Sequence, residues 1–368
     1  MVEPPAFGSE RVFIASIHWN NEAILRSHWI PAVLELVKEI GKDNVYISVL
    51  ESGSWDNSKG ALRELDVKLG ELGVNRKIVL DDTTHADEIA KPPTKEGWIH
   101  TPRVAKGEKE LRRIPYLARL RNEVLQPLYD LQSNGVEKFD KILWLNDVVF
   151  STHDVRNLFA TRGGDYAAAC SLDFSKGNGQ LYDTFALRDS EGREQVMSKW
   201  PYFRARESRK AIKANHPAPV ASCWNGMVVM HAAPFYNSET PLVFRGISDS
   251  LADSHLEGSE CCLIHADNPL SRTKGVWINP GVRVGYNAPA YEAINPPGAG
   301  TWVSTFGIVY GSWENRLRRW FTTTWLKEML VKRRLAAWEK ESKLNLESGP
   351  FCLINEMQVL IKNGWAHV

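Results

Sequence analysis

Three short polar runs carry most of the side chains that could do chemistry. They are His18-Trp19-Asn20-Asn21-Glu22, the stretch 51–58 (Glu-Ser-Gly-Ser-Trp-Asp-Asn-Ser), and the pair Asn146-Asp147. A carboxylate that ends an apolar run, as Asp147 does, suits Mg2+ or Mn2+. Such ions are held by one or two carboxylates while substrate phosphates supply much of the remaining coordination. His265 follows Cys261-Cys262-Leu263-Ile264 and offers an imidazole. Imidazole and carboxylate together favour Mn2+-like ions over Ca2+. Taken singly, each polar run reads equally well as a turn, because Asn, Asp, Gly and Ser favour turns, and His265 reads equally well as a core histidine. Other catalytic patterns are absent. There is no GxGxxG after the first strand, no GxxxxGK[ST] phosphate loop, no GxSxG elbow, and no HExxH or paired CxxC zinc spacing.

These runs matter only if a scaffold brings them together. Residues 12–17, 45–50 and 76–80 are short apolar stretches rich in β-branched residues, and 23–40 and 59–72 between them carry apolar residues at helical spacing. Gly41 is placed as a helix C-cap. This alternation predicts a parallel sheet covered by helices. Ligands of open sheets bind beyond the carboxyl ends of the strands, and each polar run follows a strand. Residues 81–113 predict a long surface loop, 114–131 a helix, and 141–145, 166–172 and 226–230 further strands. The basic, amphipathic segment 316–343 predicts a helix lying on the domain, with contact at a membrane surface as the alternative. A catalytic unit over 11–300 and a mostly helical extension over 301–368 complete the expected organisation.

Composition narrows the class. The 368 residues hold 45 Lys+Arg against 44 Asp+Glu, a net charge of +1, which argues against a general nucleic-acid binder. With 43% hydrophobic and 24% charged residues, the chain has the balance of an ordinary globular protein. The 14 tryptophans read first as core and boundary packing, and second as flat faces for sugars or bases. Cys261 and Cys262 are adjacent, so the 5 cysteines allow at most two separate disulfides with one thiol left over. No Asn-x-Ser/Thr sequon occurs, and no apolar run reaches the ~18 residues of a membrane helix.

In their order along the chain, the polar runs resemble the GT-A glycosyltransferases. Those enzymes read Asn-x-Glu after the first strand (here 20–22), acidic-x-Gly-Ser-x-Asp-x-Ser after the second (51–58), Arg-Asn on a helix (Arg121-Asn122), and then Asp-x-Asp, shortened here to Asn146-Asp147. The stretches 113–122, 143–150, 181–188 and 222–227 narrow the resemblance to the fungal capsule-associated α-1,3-mannosyltransferase family over residues 11–290. That resemblance implies an α/β fold of GT-A-like, Rossmann-type mixed sheet with helices on both faces and a C-terminal helical extension. It implies retaining transfer of mannose from GDP-mannose to a mannose-containing glycan, forming an α-1,3 linkage, with Mn2+ or else Mg2+. Asn20, Glu22, Glu51 and Asp56 would line the nucleotide pocket. Arg119, Arg121, Asn146, Arg272 and Lys274 would contact the donor, Asp147 and His265 the metal. Glu260, Asp183 and Asp147 would act at the reacting carbon, and Trp224 and Asn225 would touch the acceptor. The family also implies a lumenal, Golgi-type setting with an amino-terminal membrane anchor outside these residues. Transfer from UDP-xylose or UDP-glucose, or a catalytically silent sugar-binding protein of this fold, are the alternatives.

Overall fold

Apolar runs ending in polar turns build one large sheet in the computed structural model, which describes residues 7–136, 138–176, 179–298, 302–322 and 324–368. Its strands are β1 (Val12–His18), β2 (Val45–Ser52), β3 (Asn75–Asp81), β4 (Lys141–Leu145), β5 (Ala168–Phe174), β6 (Arg188–Asp189), β7 (Ala218–Ser222), β8 (Met227–His231) and β9 (Val276–Gly285). The order across this 9-stranded sheet is β3-β2-β1-β4-β8-β5-β9-β7-β6. The first four strands pair in parallel, as a Rossmann-type half-sheet does. β8 runs antiparallel between β4 and β5, and β9 is parallel to β5. The carboxyl ends of β1, β4, β5 and β9 therefore share one edge. The residues that lead into β8 reach the same edge from the other direction.

Helices cover both faces. α1 (Ile30–Ile40) and α2 (Ser58–Glu71) pack Val33, Leu36, Val37, Ala61 and Leu65 on one face. The long α3 (Arg113–Ser133) packs Tyr116, Leu120, Val124 and Leu128 on the other. α4 (Thr152–Phe159) is closed by a capping box between Ser151 and Asp154. α5 (Glu260–Asp267) is buried along nearly its whole length. The expected helix over 23–40 is interrupted by a π-helical segment, Leu25–Trp29. The expected loop over 81–113 contains the helix His85–Ala90, capped by Thr84 and Asp87.

After Ser304, which caps its first turn, α6 (Thr305–Phe321) is followed by α7 (Trp325–Glu341). The extension then departs from its helical expectation. Leu353–Ile354 pairs with Glu257–Gly258, and Gln358–Ile361 with Gly364–His367 forms a hairpin that returns to the main body. Two disulfides, Cys170–Cys223 and Cys262–Cys352, leave Cys261 as a buried thiol. The second closes a loop of 90 residues and ties the returning tail to α5, a constraint worth about 4.6 kcal/mol in the chain-entropy picture. Among the described residues no helix is long and apolar enough to cross a membrane.

Candidate functional site

The loops after β1 and β2 interlock. Asn20 donates its backbone N–H to Ser54 Oγ at 2.8 Å and accepts Trp55 N–H on Oδ1 at 2.7 Å. Asp56 accepts Glu22 N–H at 2.9 Å and the Ser58 hydroxyl at 2.6 Å. Burial raises its pKa, but these hydrogen bonds outweigh burial and hold the carboxyl below its ordinary range. Glu51 is fully buried, accepts Ser54 N–H and pairs with Lys59 Nζ at 3.0 Å. It fixes this loop and presents no open edge to a ligand.

From there a hydrogen-bond chain runs to the strand-end acid. Ser16 Oγ donates to Leu145 O at 2.6 Å, so it accepts from His18 Nε2 at 2.8 Å. His18 Nδ1 then accepts from Asn21 Nδ2 at 3.0 Å. Burial pushes the pKa of His18 down to about 3, so the ring is neutral and this tautomer is fixed. Asn21 also hydrogen-bonds the Asp147 carboxyl, whose pKa burial lifts to about 6 despite that bond.

Next door, Asn146 is fully engaged. Its Oδ1 accepts Trp224 Nε1–H at 3.2 Å and its Nδ2 donates to Tyr286 Oη at 3.2 Å. Tyr286 in turn hydrogen-bonds the buried Asp173 at the end of β5. Asn225 Nδ2 bridges Asp173 Oδ1 and Asp183 O, both at 2.8 Å. Gly226 makes this crossing possible. Its φ is +82°, and a Cβ there would lie 2.5 Å from Val284 Cγ2. Burial, then the charge of Asp183, raises the pKa of Asp173. Asp183 is raised by burial too, although it accepts two backbone N–H groups.

On the opposite wall, α3 meets the start of α5. Arg121 Nε donates to Glu260 Oε1 at 3.0 Å, and its guanidinium lies over Trp224, 4.3 Å from the ring centroid. Trp144 and Phe244 complete the aromatic surround. The Nη groups of Arg121 have no hydrogen-bond partner among the described residues and border the cavity. Cys261 Sγ donates to Glu260 Oε1 at 3.2 Å. Burial alone would raise the pKa of Glu260, but Arg121, Arg113 and this thiol hold it below its ordinary range.

Between these walls lies a cavity of about 610 Å3, within the usual range for small-molecule sites. Arg121, Asn146, Asp183, Trp224 and Glu260 line it, so five of the residues expected from the sequence meet there. Asn225 sits immediately behind, bound to Asp173 and Asp183. Sequence reasoning gave no role to Arg113, Tyr182 or Tyr286, nor to Gln358, Trp365 and His367 of the returning hairpin, all of which line it. Arg113 ties the hairpin in, donating to Gln358 Oε1 at 2.6 Å and stacking 4.1 Å from the Trp365 centroid.

Ten expected residues do not line the cavity: Asn225 behind it, Asp147 next to the lining residue Asn146, Asn20, Glu22, Glu51 and Asp56 in the interlocked loops after β1 and β2, and four that lie elsewhere. Arg272 and Lys274 precede β9, so they lie at the amino-terminal edge of the parallel strands, where Lys274 faces Asp165 at 3.5 Å. Arg119 points away from the cavity and bonds Glu88 at 2.7 Å. His265 follows Glu260 by five positions on α5. That is a rotation of roughly 140° and a climb of about 7.5 Å, which turns it inward. Its Nε2 donates to Cys223 O at 2.7 Å, and burial lowers its pKa to about 4. The compact trio of possible metal ligands around it, Cys170, Cys223 and His265, has both sulfurs locked in a disulfide. His265 thus lies away from the cavity wall and beside this disulfide, with its Nδ1 buried and without a hydrogen-bond partner among the described residues.

A divalent cation fits the acidic edge of the cavity, where Asp147 adjoins the lining residue Asn146. Asp147 is a desolvated carboxyl with a raised pKa, and Asp173 and Asp183 add negative potential around Tyr182 and Tyr286. Among the described residues no carboxylate trio there brings its ligand atoms within 4.8 Å of one another. The protein would thus supply few ligands and a bound diphosphate the others, the usual pattern for Mg2+-like ions.

A family model described as Cryptococcal mannosyltransferase 1 matches residues 11–267. A search of curated proteins finds no significant match. Among solved structures, the mannosyltransferase PcManGT from Pyrobaculum calidifontis, in complex with GDP-Man and Mn2+, aligns with 95% of this chain and 69% of its own. The identity is 12% and the TM-score 0.43. GalNAc-T7 with UDP, GalNAc and Mn2+ aligns over 82% of this chain and 47% of its own, at 12% identity and TM-score 0.41. S. aureus TarS 1-349 in complex with UDP aligns over 77% and 63%, at 8% identity and TM-score 0.40. These structural likenesses are loose.

Proposed function

We propose, from the premise that the chain belongs to the Cryptococcal mannosyltransferase 1 family and so carries out glycosyl transfer, that it moves mannose from GDP-mannose to a mannose-containing glycan. The product linkage is α-1,3, with the anomeric configuration retained. The observation that carries this reading is Arg121. It is a largely buried arginine, with 13% of its side chain accessible, bonded once to Glu260 and lining a cavity with Asn146 and Asp183 on its wall.

In this reading the interlocked loops of Asn20, Glu22 and Asp56 shape the nucleotide end of the site. Arg121, with Arg113 beside it, faces the diphosphate and holds the negative charge that grows on it as the sugar leaves. Asp147, positioned by Asn21, would hold a divalent ion such as Mn2+, which when bound supplies charge neutralisation of the leaving diphosphate. Trp365, exposed on the returning hairpin, gives a flat face for a sugar ring, whereas Trp224 is buried under the Arg121 guanidinium and supports that arginine instead.

Same-face displacement suits the carboxylates. Glu260 is tied to Arg121 and the Cys261 thiol, and Asp183 to two backbone N–H groups, so neither is a free nucleophile. The bond from the mannose anomeric carbon to the phosphate oxygen breaks, its electron pair leaving with GDP. The acceptor hydroxyl oxygen bonds that carbon on the same face and passes its proton to the departing phosphate. The two disulfides favour an oxidising compartment, which supports placement in the Golgi lumen.

The test is a donor screen with GDP-mannose, UDP-glucose and UDP-xylose, each with Mn2+ or with EDTA, read by nucleotide release. GDP release confined to the Mn2+ arm is expected. Faster release of UDP would overturn the donor assignment, and no release from any donor would leave a silent sugar-binding protein.

A further inference from the structure

α6 is attached to the body by a narrow strip. Gly311 packs on the Trp200 carbonyl and Asn315 donates to Phe203 O at 3.3 Å. These two are the buried residues of the helix. On the opposite side of the helix, Phe306, Tyr310, Trp313, Leu317, Trp320 and Phe321 stand exposed. Phe306 and Phe321 are each 77% accessible and the two tryptophans 56%. At 100° per residue these six fall within an arc of about 100°, so they form one apolar stripe along the helix. Trp325, Leu326 and Met329 of α7 are exposed as well. Soluble proteins rarely leave such a contiguous patch uncovered, and those that do use it for binding.

A concentration of like charge flanks the stripe. Arg316 lies over both tryptophans, 5.4 Å from the Trp313 centroid and 4.8 Å from that of Trp320. Arg319 stands on the same side of the helix, with Arg204, Arg209 and Lys213 from the body beside it. Burial, then the repulsion of Arg316 and Arg204, depresses the pKa of Arg319. Lys213 is depressed by burial, then by Arg209 and Arg319. Among acids, Glu314 is paired with Arg318, and Asp189 and Glu191 reach Arg209.

From this pairing of an aromatic stripe with an unneutralised basic rim, we infer that α6 and the start of α7 seat the domain on an anionic lipid bilayer. The indoles lie at headgroup depth and the arginines meet acidic headgroups. Tryptophan and arginine on adjoining faces of one helix are the signature of such interfacial helices. A second copy of the chain fits less well. A two-fold contact through this stripe would bring the same arginine cluster against itself, whereas acidic lipid neutralises it. The inference does not depend on the donor or the linkage proposed above.

The test is co-sedimentation of the full chain with vesicles of phosphatidylcholine alone, or containing about one-third phosphatidylserine. Binding to the acidic vesicles, weakened by salt, is expected. The triple variant Trp313→Ser, Trp320→Ser, Phe321→Ser lowers the partition coefficient at least tenfold. Arg316→Gln with Arg319→Gln lowers it roughly fivefold for each charge removed. Both variants keep the wild-type circular dichroism and the wild-type rate of nucleotide release. Failure of the wild type to bind acidic vesicles, or equal binding by the triple variant, overturns the inference. So does a dimer by light scattering that the triple variant abolishes without any vesicle binding.

Discussion

Two arginine–glutamate pairs lie nine positions apart on the approach to and along α3, and they are built to different ends. Arg112 and Glu257 are both fully buried, with Nη2 donating to Oε1 at 2.7 Å and Nε to Oε2 at 3.3 Å. Nη1 is taken up by Asp249 and the Ile247 carbonyl at 2.7 and 2.9 Å. Arg121 and Glu260 share one contact at 3.0 Å, and the rest of the guanidinium lies against Trp224 beside the cavity. Burial is common to both pairs. What separates them is hydrogen-bonding capacity left open, because a buried charge with unused donors is poised to take a ligand.

Removing the closed arginine should have the largest effect, and on stability. Arg112→Met leaves Glu257 and Asp249 without their partner, at a cost of about 3–5 kcal/mol. Chemical denaturation reads that loss, while nucleotide release per folded molecule stays near wild type. Removing the open arginine should act on chemistry. Arg121→Gln is expected to lower nucleotide release about 100- to 1000-fold, as loss of an oriented charge-stabilising donor does. Its unfolding midpoint should move far less than that of Arg112→Met. Inverted outcomes would break the comparison.

The smallest effect is expected at Asp173. Its folded pKa lies above the ordinary carboxyl value of 3.8, through burial and the charge of Asp183. The folded state therefore binds the proton more tightly than the unfolded state. Stability contributed by the protonated form is lost as pH rises from near 4 through the folded pKa. Asp173→Asn should thus melt higher than wild type at pH 8 and no higher at pH 4, by calorimetry at both values. A uniform destabilisation would show that the carboxylate is a structural anchor instead.

Much of the sheet could be read in advance because apolar strand runs are local signals. β1, β2, β3 and β4 fall within a residue or two of expectation, and the direction of parallel strands placed Asn146 and Asp147 at the ligand edge. That same rule, applied to β9, would have put Arg272 and Lys274 at the opposite edge, since they precede the strand. His265 was expected beside Asp147 because residue type was weighed without helix phase, which turns it away from the cavity. Asp173 was hidden as the penultimate residue of a buried strand whose expected end fell at 172. Arg113, Tyr286 and Trp365 come together only through pairing across most of the chain, which no local pattern carries. One local cue, Asn363-Gly364, favours a tight hairpin turn, and the expected helical extension passed over it.

Asp147 follows the central strand β4 by two residues, and the β1 loop positions it through Asn21. The direct measurement is GDP release from GDP-mannose with Mn2+ by Asp147→Asn, compared with wild type at matched circular dichroism. A metal-holding role for Asp147 predicts at least a 1000-fold loss, about 4 kcal/mol in transition-state stabilisation. Release at the wild-type rate would contradict it.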